Sequence, residues 1–336
     1  MAAYTTIDNP ELYFQTKIYT GDGNTGRSIT FDNTDTSMQP DLAWFKNRDD
    51  TDHFGLVDSV RGVTKRLSSN DTFAEQTDAN NISAFNSNGF SISASGIDNM
   101  TNTSGEKYVF WCWKESATAG FDIVGYTGNA TARTISHSLS AVPKVVLGKR
   151  RSDASNWCMY HASVGNTKAL YLNNTTTGAT STTFWNDTNP TSSVFTVGTD
   201  AALNGNTDTQ IAYLFSEKQG YSKFGSYEGN NNANGTFVYT GFSVAFVMVK
   251  NIDTSGPKWV IQDTKRSPSG GGNPAEARLK PNEATAEEAD SDIDLLSNGF
   301  KIRSTGSFTN DVETYVYMAF AEAPFVNSNG VPCNAR

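Results

Sequence analysis

The sequence predicts an all-β protein made of three tandem antiparallel β-sandwich repeats, jelly-roll-like and related by pseudo-repeat symmetry. Three observations predict it. A ten-residue run that opens on an acidic residue, continues bulky and apolar, and closes on glutamate occurs at residues 106–115, 208–217 and 313–322. That is the composition of a strand buried on at least one face. Short strand-like segments alternate with Gly, Asn and Asp turns every ~8–12 residues. No segment carries a convincing helical period: residues 281–294 are rich in Ala and Glu, but their apolar residues are too few to bury a helix face.

The elements recur in one order. After a lead at residues 1–11, the first repeat (12–117) opens on Tyr19, Thr20 and Gly21 and runs into a turn. The second (118–218) opens on Tyr126, Thr127 and Gly128, and the third (219–325) on Tyr227, Glu228 and Gly229, leaving a tail at 326–336. A strand ending in lysine follows, at Lys46, Lys149 and Lys250, with a period of roughly 100 residues. Next come strands at 53–58, 157–161 and 259–263, then short segments centred on Leu67, Leu170 and Leu279, then a variable polar loop. Asn88-Gly89-Phe90 and Asn298-Gly299-Phe300 mark a tight turn into a strand, matched loosely by Ser193-Val194-Phe195. The acidic-to-glutamate run closes each repeat.

Within that closing strand, alternate residues assign Val109, Trp111 and Trp113, then Ile211, Tyr213 and Phe215, then Val316, Met318 and Phe320 to the core of each sandwich. The opposite face is also apolar, through Tyr108, Phe110, Tyr315 and Tyr317. A strand apolar on both faces is central in its sheet, and this second face is expected to pack on a sister repeat or on another subunit.

Composition narrows the function. The net charge of −9 argues against a nucleic-acid or anionic-membrane surface, which needs clustered Lys and Arg. Three cysteines are an odd number and imply no disulfide framework. With neither a signal-peptide pattern nor an apolar run long enough to span a bilayer, the chain is expected to be made in a cytoplasm without membrane insertion.

Catalytic patterns are sparse. None of His53, His137 and His161 adjoins a candidate nucleophile, and His161 stands where the other repeats have Asp58 and Asp263. Lys46 with Asp58 and Lys250 with Asp263 are expected to form structural pairs across a hairpin. Glu115, Glu217 and Glu322 invite a glycosidase reading, but one glutamate per repeat places them in separate domains, which favours a structural role. Acidic loops at 49–52 and 290–294 lack the glycine and terminal glutamate of a calcium loop, and the glycine run at 269–273 reads as a flexible turn. No metal, cofactor or catalytic residue is therefore assigned. Trp157 and Trp259, at equivalent positions, read as core. Trp185, in a Thr- and Asn-rich loop with no counterpart, is the surface candidate for stacking on a sugar ring.

The run from Pro40 to Arg48, the Asp58-Ser59-Val60-Arg61-Gly62 segment, the stretch from Gly220 to Tyr227, and that from Tyr315 to Glu322 followed by Ala323, Pro324 and Phe325 carry a resemblance. Across residues 12–325 the chain resembles an uncharacterised repeat domain of virion and tail proteins of marine tailed bacteriophages. The resemblance implies a virion setting, in which a protein made in the host cytoplasm leaves by lysis, and it implies no mechanism. The second repeat departs from it by lacking the aspartate and the Asn-Gly-Phe turn. The resulting expectation is a non-enzymatic structural protein on the outside of a phage particle, tail-associated or fibre-like, in contact with other virion proteins, homo-oligomeric, and a candidate for host surface polysaccharide. A capsid decoration or head-fibre protein is the alternative, and a glycan-degrading depolymerase is third.

Overall fold

The computed structural model describes residues 3–32, 36–93, 100–267 and 273–333; the glycine run at 269–272 lies outside them. The chain is all-β, with several antiparallel sheets arranged as sandwiches. Among the described residues the helical segments are one 3-10 turn, Pro10–Leu12, and two single-turn helices, Thr182–Trp185 and Ala201–Asn204. One turn is too short to print a period in the sequence. Each is set instead by a cap, with Ser181 Oγ accepting from Thr183 N–H and Asp200 Oδ1 from Ala202 N–H.

Three sheets share one strand order. The first places Phe14–Thr20 beside Lys107–Trp113, then Leu42–Asn47, then Gly55–Asp58. The second repeats that order with Phe121–Thr127, Thr209–Phe215, Val145–Arg150 and Cys158–His161, and extends it with Lys168–Tyr171 and Ala179–Thr180. The third does so with Ser222–Glu228, Thr314–Pro324, Phe242–Asn251 and Val260–Asp263. The closing strand is therefore an inner strand every time. A smaller sheet faces each one: Arg27–Thr30, Gly89–Ile92 and Ile82–Asn86 in the first, Arg133–Ser136 with Val194–Val197 in the second, and Phe237–Tyr239, Gly299–Ile302, Glu288–Leu296 and Ala275–Arg278 in the third.

The recurrent Tyr-x-Gly opening has a local cause. Tyr19, Tyr126 and Tyr227 donate to the carbonyls of Thr101, Leu203 and Thr309, in the loop that leads to the closing strand. That loop presses on the glycine: a Cβ at Gly21, Gly128 or Gly229 would lie 2.1, 2.1 or 2.0 Å from a backbone oxygen. Asn102, Asn204 and Asn310 complete the latch by accepting the N–H of Asp22, Asn129 and Asn230.

The two faces of the closing strands are exchanged relative to the sequence expectation. Val109, Trp111 and Trp113 join Ile211, Tyr213, Phe215, Val316, Met318 and Phe320 in one core common to all three sheets. Tyr108, Phe110, Tyr315 and Tyr317 are buried inside their own sandwiches: Phe110 stacks on Phe45 and Phe90 at 4.7 and 4.4 Å, and Tyr317 meets Phe300 at 5.2 Å. The tyrosine hydroxyls find partners on that side: Tyr108 and Tyr315 accept the N–H of Thr103 and Asp311 in their own loops.

Phe320 sits at the convergence, with ring centroids 5.3 Å from Phe14, 5.5 Å from Trp113, 5.7 Å from Phe215 and 6.0 Å from Phe246. A cavity of about 20 Å³ beside it is lined by apolar side chains and Tyr213, four residues from each sheet. With so few polar partners it holds no favourable site for water. Phe320→Ala is expected to destabilise the chain by about 3–5 kcal/mol. Because the rings around Phe320 come from all three sheets, calorimetry should show one transition moving to lower temperature; an independent melt of the third sheet alone would contradict the common core.

Candidate functional site at the sheet junctions

Each short strand of a sheet ends against the closing strand of the next sheet, in the cyclic order first to second, second to third, third to first. At the first junction Asp58 Oδ2 accepts from Tyr213 Oη at 2.7 Å and from Arg61 Nε. Arg61 also donates to the Leu56 carbonyl at 2.8 Å and reaches Glu75 at 3.3 Å. Glu75 in turn holds Arg151 of the second sheet through Nε at 2.8 Å and Nη2 at 2.9 Å.

The junction of the third sheet with the first repeats this arrangement, with an indole in place of the phenol. Asp263 Oδ2 accepts from Trp111 Nε1 at 2.9 Å and from Arg266 Nε at 2.5 Å. Arg266 donates to the Ile261 carbonyl at 3.0 Å and reaches Glu287 at 2.9 Å, and Glu287 holds Arg48 at 2.9 and 2.6 Å. The side chains of both Asp–Arg pairs are fully buried. Burial disfavours the guanidinium charges, yet Tyr213 and Asp58 around Arg61, and Asp263 and Glu287 around Arg266, outweigh it and raise both above the ordinary arginine range.

The middle junction is neutral. His161 takes the aspartate position, as its pairing with Val145 shows beside Asp58 with Leu42 and Asp263 with Phe246. Val164 replaces the arginine, Ile252 replaces Arg48 and Arg151, and Met318 replaces Trp111 and Tyr213; the valine and the isoleucine pack on the common core. His161 Nε2–H donates to the Tyr317 carbonyl at 3.2 Å and Nδ1 accepts from Ser163 N–H at 3.2 Å, so both nitrogens are satisfied in the neutral ring. Burial pulls its pKa down to about 4.

The expected Lys–Asp pairs do not form. Lys46 Nζ donates to the carbonyls of Asn47 and Asp50 at 2.5 and 2.6 Å, and Lys250 Nζ to those of Asn251 and Pro257 at 2.8 and 3.0 Å. Lys149 does likewise with Arg150 and, across the first junction, Thr72. The aspartates are taken by arginines three residues on in their own turns, a shorter closure than the hairpin crossing. Burial lowers each of the three lysines to about 8.

Trp185 is not a surface residue. It is 2% exposed, carried inward by its one-turn helix against Tyr160 at 5.9 Å. Trp157 and Trp259 are buried at junctions, where their indole N–H groups donate to the carbonyls of Ser68 and Tyr171 in the preceding sheet. Phe54 occupies the equivalent place in the first sheet without a donor. There the Trp44 indole donates to Ser69 Oγ, and Ser69 donates to the Pro281 carbonyl of the third sheet.

Of the two acidic segments only 49–52 is a loop; 290–294, expected as a loop, lies within the strand Glu288–Leu296, and both are committed to ion pairs and hydrogen bonds. Arg278 holds Asp290 and Asp292 at 2.6 and 2.8 Å, Arg303 meets Asp294 at 3.4 Å, and Asp52 accepts from Asn47. Among the described residues no group of three or more His, Cys, Asp or Glu is disposed to hold a metal ion. Sequence reasoning missed one carboxyl pair, Glu115 with Asp122. Burial and the hydrogen bond to Asp122 push Glu115 up to about 7. Its signal is the bridge between Ser116 and Phe121, which brings the end of one closing strand onto the start of the next sheet. The two carboxyls hydrogen-bond to each other, whereas glycoside hydrolysis needs carboxyls ~5–9.5 Å apart around a sugar. Asp122 is anchored besides by the N–H groups of Ile123 and Ser138.

Two predictions follow the contrast between junctions. His161→Asp, facing Val164 and Met318, buries a charge without a partner and is expected to cost about 3–5 kcal/mol in urea denaturation. Adding Val164→Arg and Met318→Trp, which rebuilds the ionic arrangement, should recover most of it; no recovery would break the equivalence of the junctions. The second concerns pH. The folded pKa of His161 lies below its unfolded value, so its stabilisation is complete above about 6.5 and is lost as pH falls towards about 4. That loss is of order 3 kcal/mol. His161→Gln, which keeps a donor for Tyr317 without a titrating ring, should flatten the denaturation midpoint between those pH values.

Among curated proteins none matches the chain. A family model described as Domain of unknown function (DUF7483) matches residues 9–324, nearly the whole length, and the chain belongs to that family.

Proposed function

We propose that the chain is a non-enzymatic structural protein on the outside of a bacteriophage particle, made of three copies of one sandwich unit closed head to tail. The virion setting rests on the sequence resemblance. The non-enzymatic reading rests on one observation: the carboxylates buried at the two ionic junctions, Asp58, Glu75, Asp263 and Glu287, are each engaged in holding one sheet to the next. A tail-associated or fibre-like position comes first, with other virion proteins as partners, a homo-oligomer as the assembled form, and a host surface glycan as contact.

The capsid decoration reading is favoured by a specific feature. The three sheets share one core and form a compact body, a shape that suits a knob on a shell better than the slender shaft of a fibre. Locating the chain in a particle density map distinguishes the two. The expected outcome is density for the compact body on the particle exterior; its absence from purified particles would defeat both. Release of reducing sugar from host polysaccharide by the purified chain, abolished by Glu115→Gln, would overturn the non-enzymatic reading.

A further inference from the structure

The outer layers of the three sandwiches offer an internal comparison. Arg27–Thr30, Arg133–Ser136 and Phe237–Tyr239 each turn one residue inward, Ile29, Ile135 and Val238, paired with Phe90, Phe195 and Phe300. The outward neighbours are Ser28 and Thr30 in the first, Thr134 and Ser136 in the second, and Phe237 and Tyr239 in the third. Ser and Thr are ordinary on a solvated edge. Two aromatic rings left 44% and 48% exposed gain little there for folding and mark a contact surface.

Their setting points to the ligand. The rings stand on alternate residues of an edge strand, about 7 Å apart along one face. Tyr239 borders a cleft of about 250 Å³ that Tyr4, Glu217, Gln219 and Lys223 also line. Lys223 Nζ donates to the Tyr239 carbonyl at 3.0 Å and lies 5.5 Å from its ring centroid. The Tyr4 hydroxyl donates to the Gly241 carbonyl at 2.8 Å and lies 3.4 Å from that of Tyr239. The platform is thus fixed before any ligand arrives. Glu217 and Gln219 are exposed and offer acceptors and a donor, and one acid opposite one base suits a neutral molecule rich in hydroxyls. A strand of only three residues is a poor template for pairing with another chain.

We propose that this cleft is a binding site for a neutral pyranose of a surface glycan. The C–H face of the sugar stacks on Tyr239, the next ring of the glycan lies over Phe237, and hydroxyls bond to Glu217, Gln219 and Lys223. The inference rests on the particle-exterior reading for the source of the glycan, and it places the site on residues other than Trp185.

Saturation-transfer NMR of the full chain with methyl pyranosides of glucose, galactose, mannose and N-acetylglucosamine, and with their β-linked disaccharides, tests it. Binding to at least one, with a disaccharide held more tightly than its monosaccharide, is expected. Phe237→Ser with Tyr239→Thr, the residue types that the other two sheets carry, should weaken it at least tenfold with the melting temperature unchanged. No signal with any of these sugars, or undiminished binding by the variant, overturns the site. So does a wild-type oligomer that the variant dissociates in sedimentation, since the rings would then be a protein interface. Particles assembled with the variant separate the two readings. Normal incorporation with normal adsorption refutes the glycan site alone, while absence of both forms from particles refutes the particle reading whatever the sugar result.

Discussion

The packing of three closing strands into one apolar core is the constraint from which the rest of the structure follows. Each closing strand is an inner strand with bulky residues on both faces, so its sheet must be covered twice. Its own small sheet covers one side, and the other two large sheets cover the second, around Trp113, Phe215 and Phe320. Burying a phenylalanine contributes roughly 1.5–3 kcal/mol. The common core accordingly outweighs any single polar contact at its rim, and the rim must instead avoid leaving polar groups unpaired.

Two junctions meet that requirement with buried ion pairs and one meets it without charge. A buried ion pair and a well-packed apolar replacement are often close in free energy, whereas half of an ion pair is costly. The four differences at the middle junction fit this asymmetry. With the carboxylate gone, the guanidinium, the bridging arginine and the indole or phenol donor are gone too, leaving His161, Val164, Ile252 and Met318. His161 keeps a donor, which it gives to the Tyr317 carbonyl.

The sequence made part of this legible. The order of elements and the inner place of each closing strand follow from period-two apolarity and turn residues, which are local properties. The face that meets a sister sheet is not local: both faces of residues 313–322 are apolar, and only tertiary partners, such as those of the Tyr108 and Tyr315 hydroxyls, distinguish them. The Lys46 and Lys250 pairings failed for a related reason, since Arg61 and Arg266 reach their aspartates through a tight turn before a cross-strand lysine can. Trp185 looked exposed because its neighbours are polar, and a four-residue helix with a Ser181 cap was enough to reverse its direction. Phe237, Val238 and Tyr239 are all apolar or aromatic, so alternation in the sequence could not show that two of the three face water.

Comparing equivalent positions separates two kinds of difference between the sandwiches. At the junctions, departures come in compensating groups: each lost charge is matched by the loss of its counter-charge, and each lost donor by the loss of its acceptor. That is the signature of a stability constraint, because an isolated change there would leave a buried polar group unsatisfied. The aromatic pair on the third outer layer is not compensated in this way. Val238 still points inward against Phe300, as Ile29 does against Phe90, so nothing in the interior called for rings outside. A difference that folding neither demands nor balances is the kind that contact with another molecule explains, and the polar cleft beside Tyr239 is what the proposed glycan site adds to it.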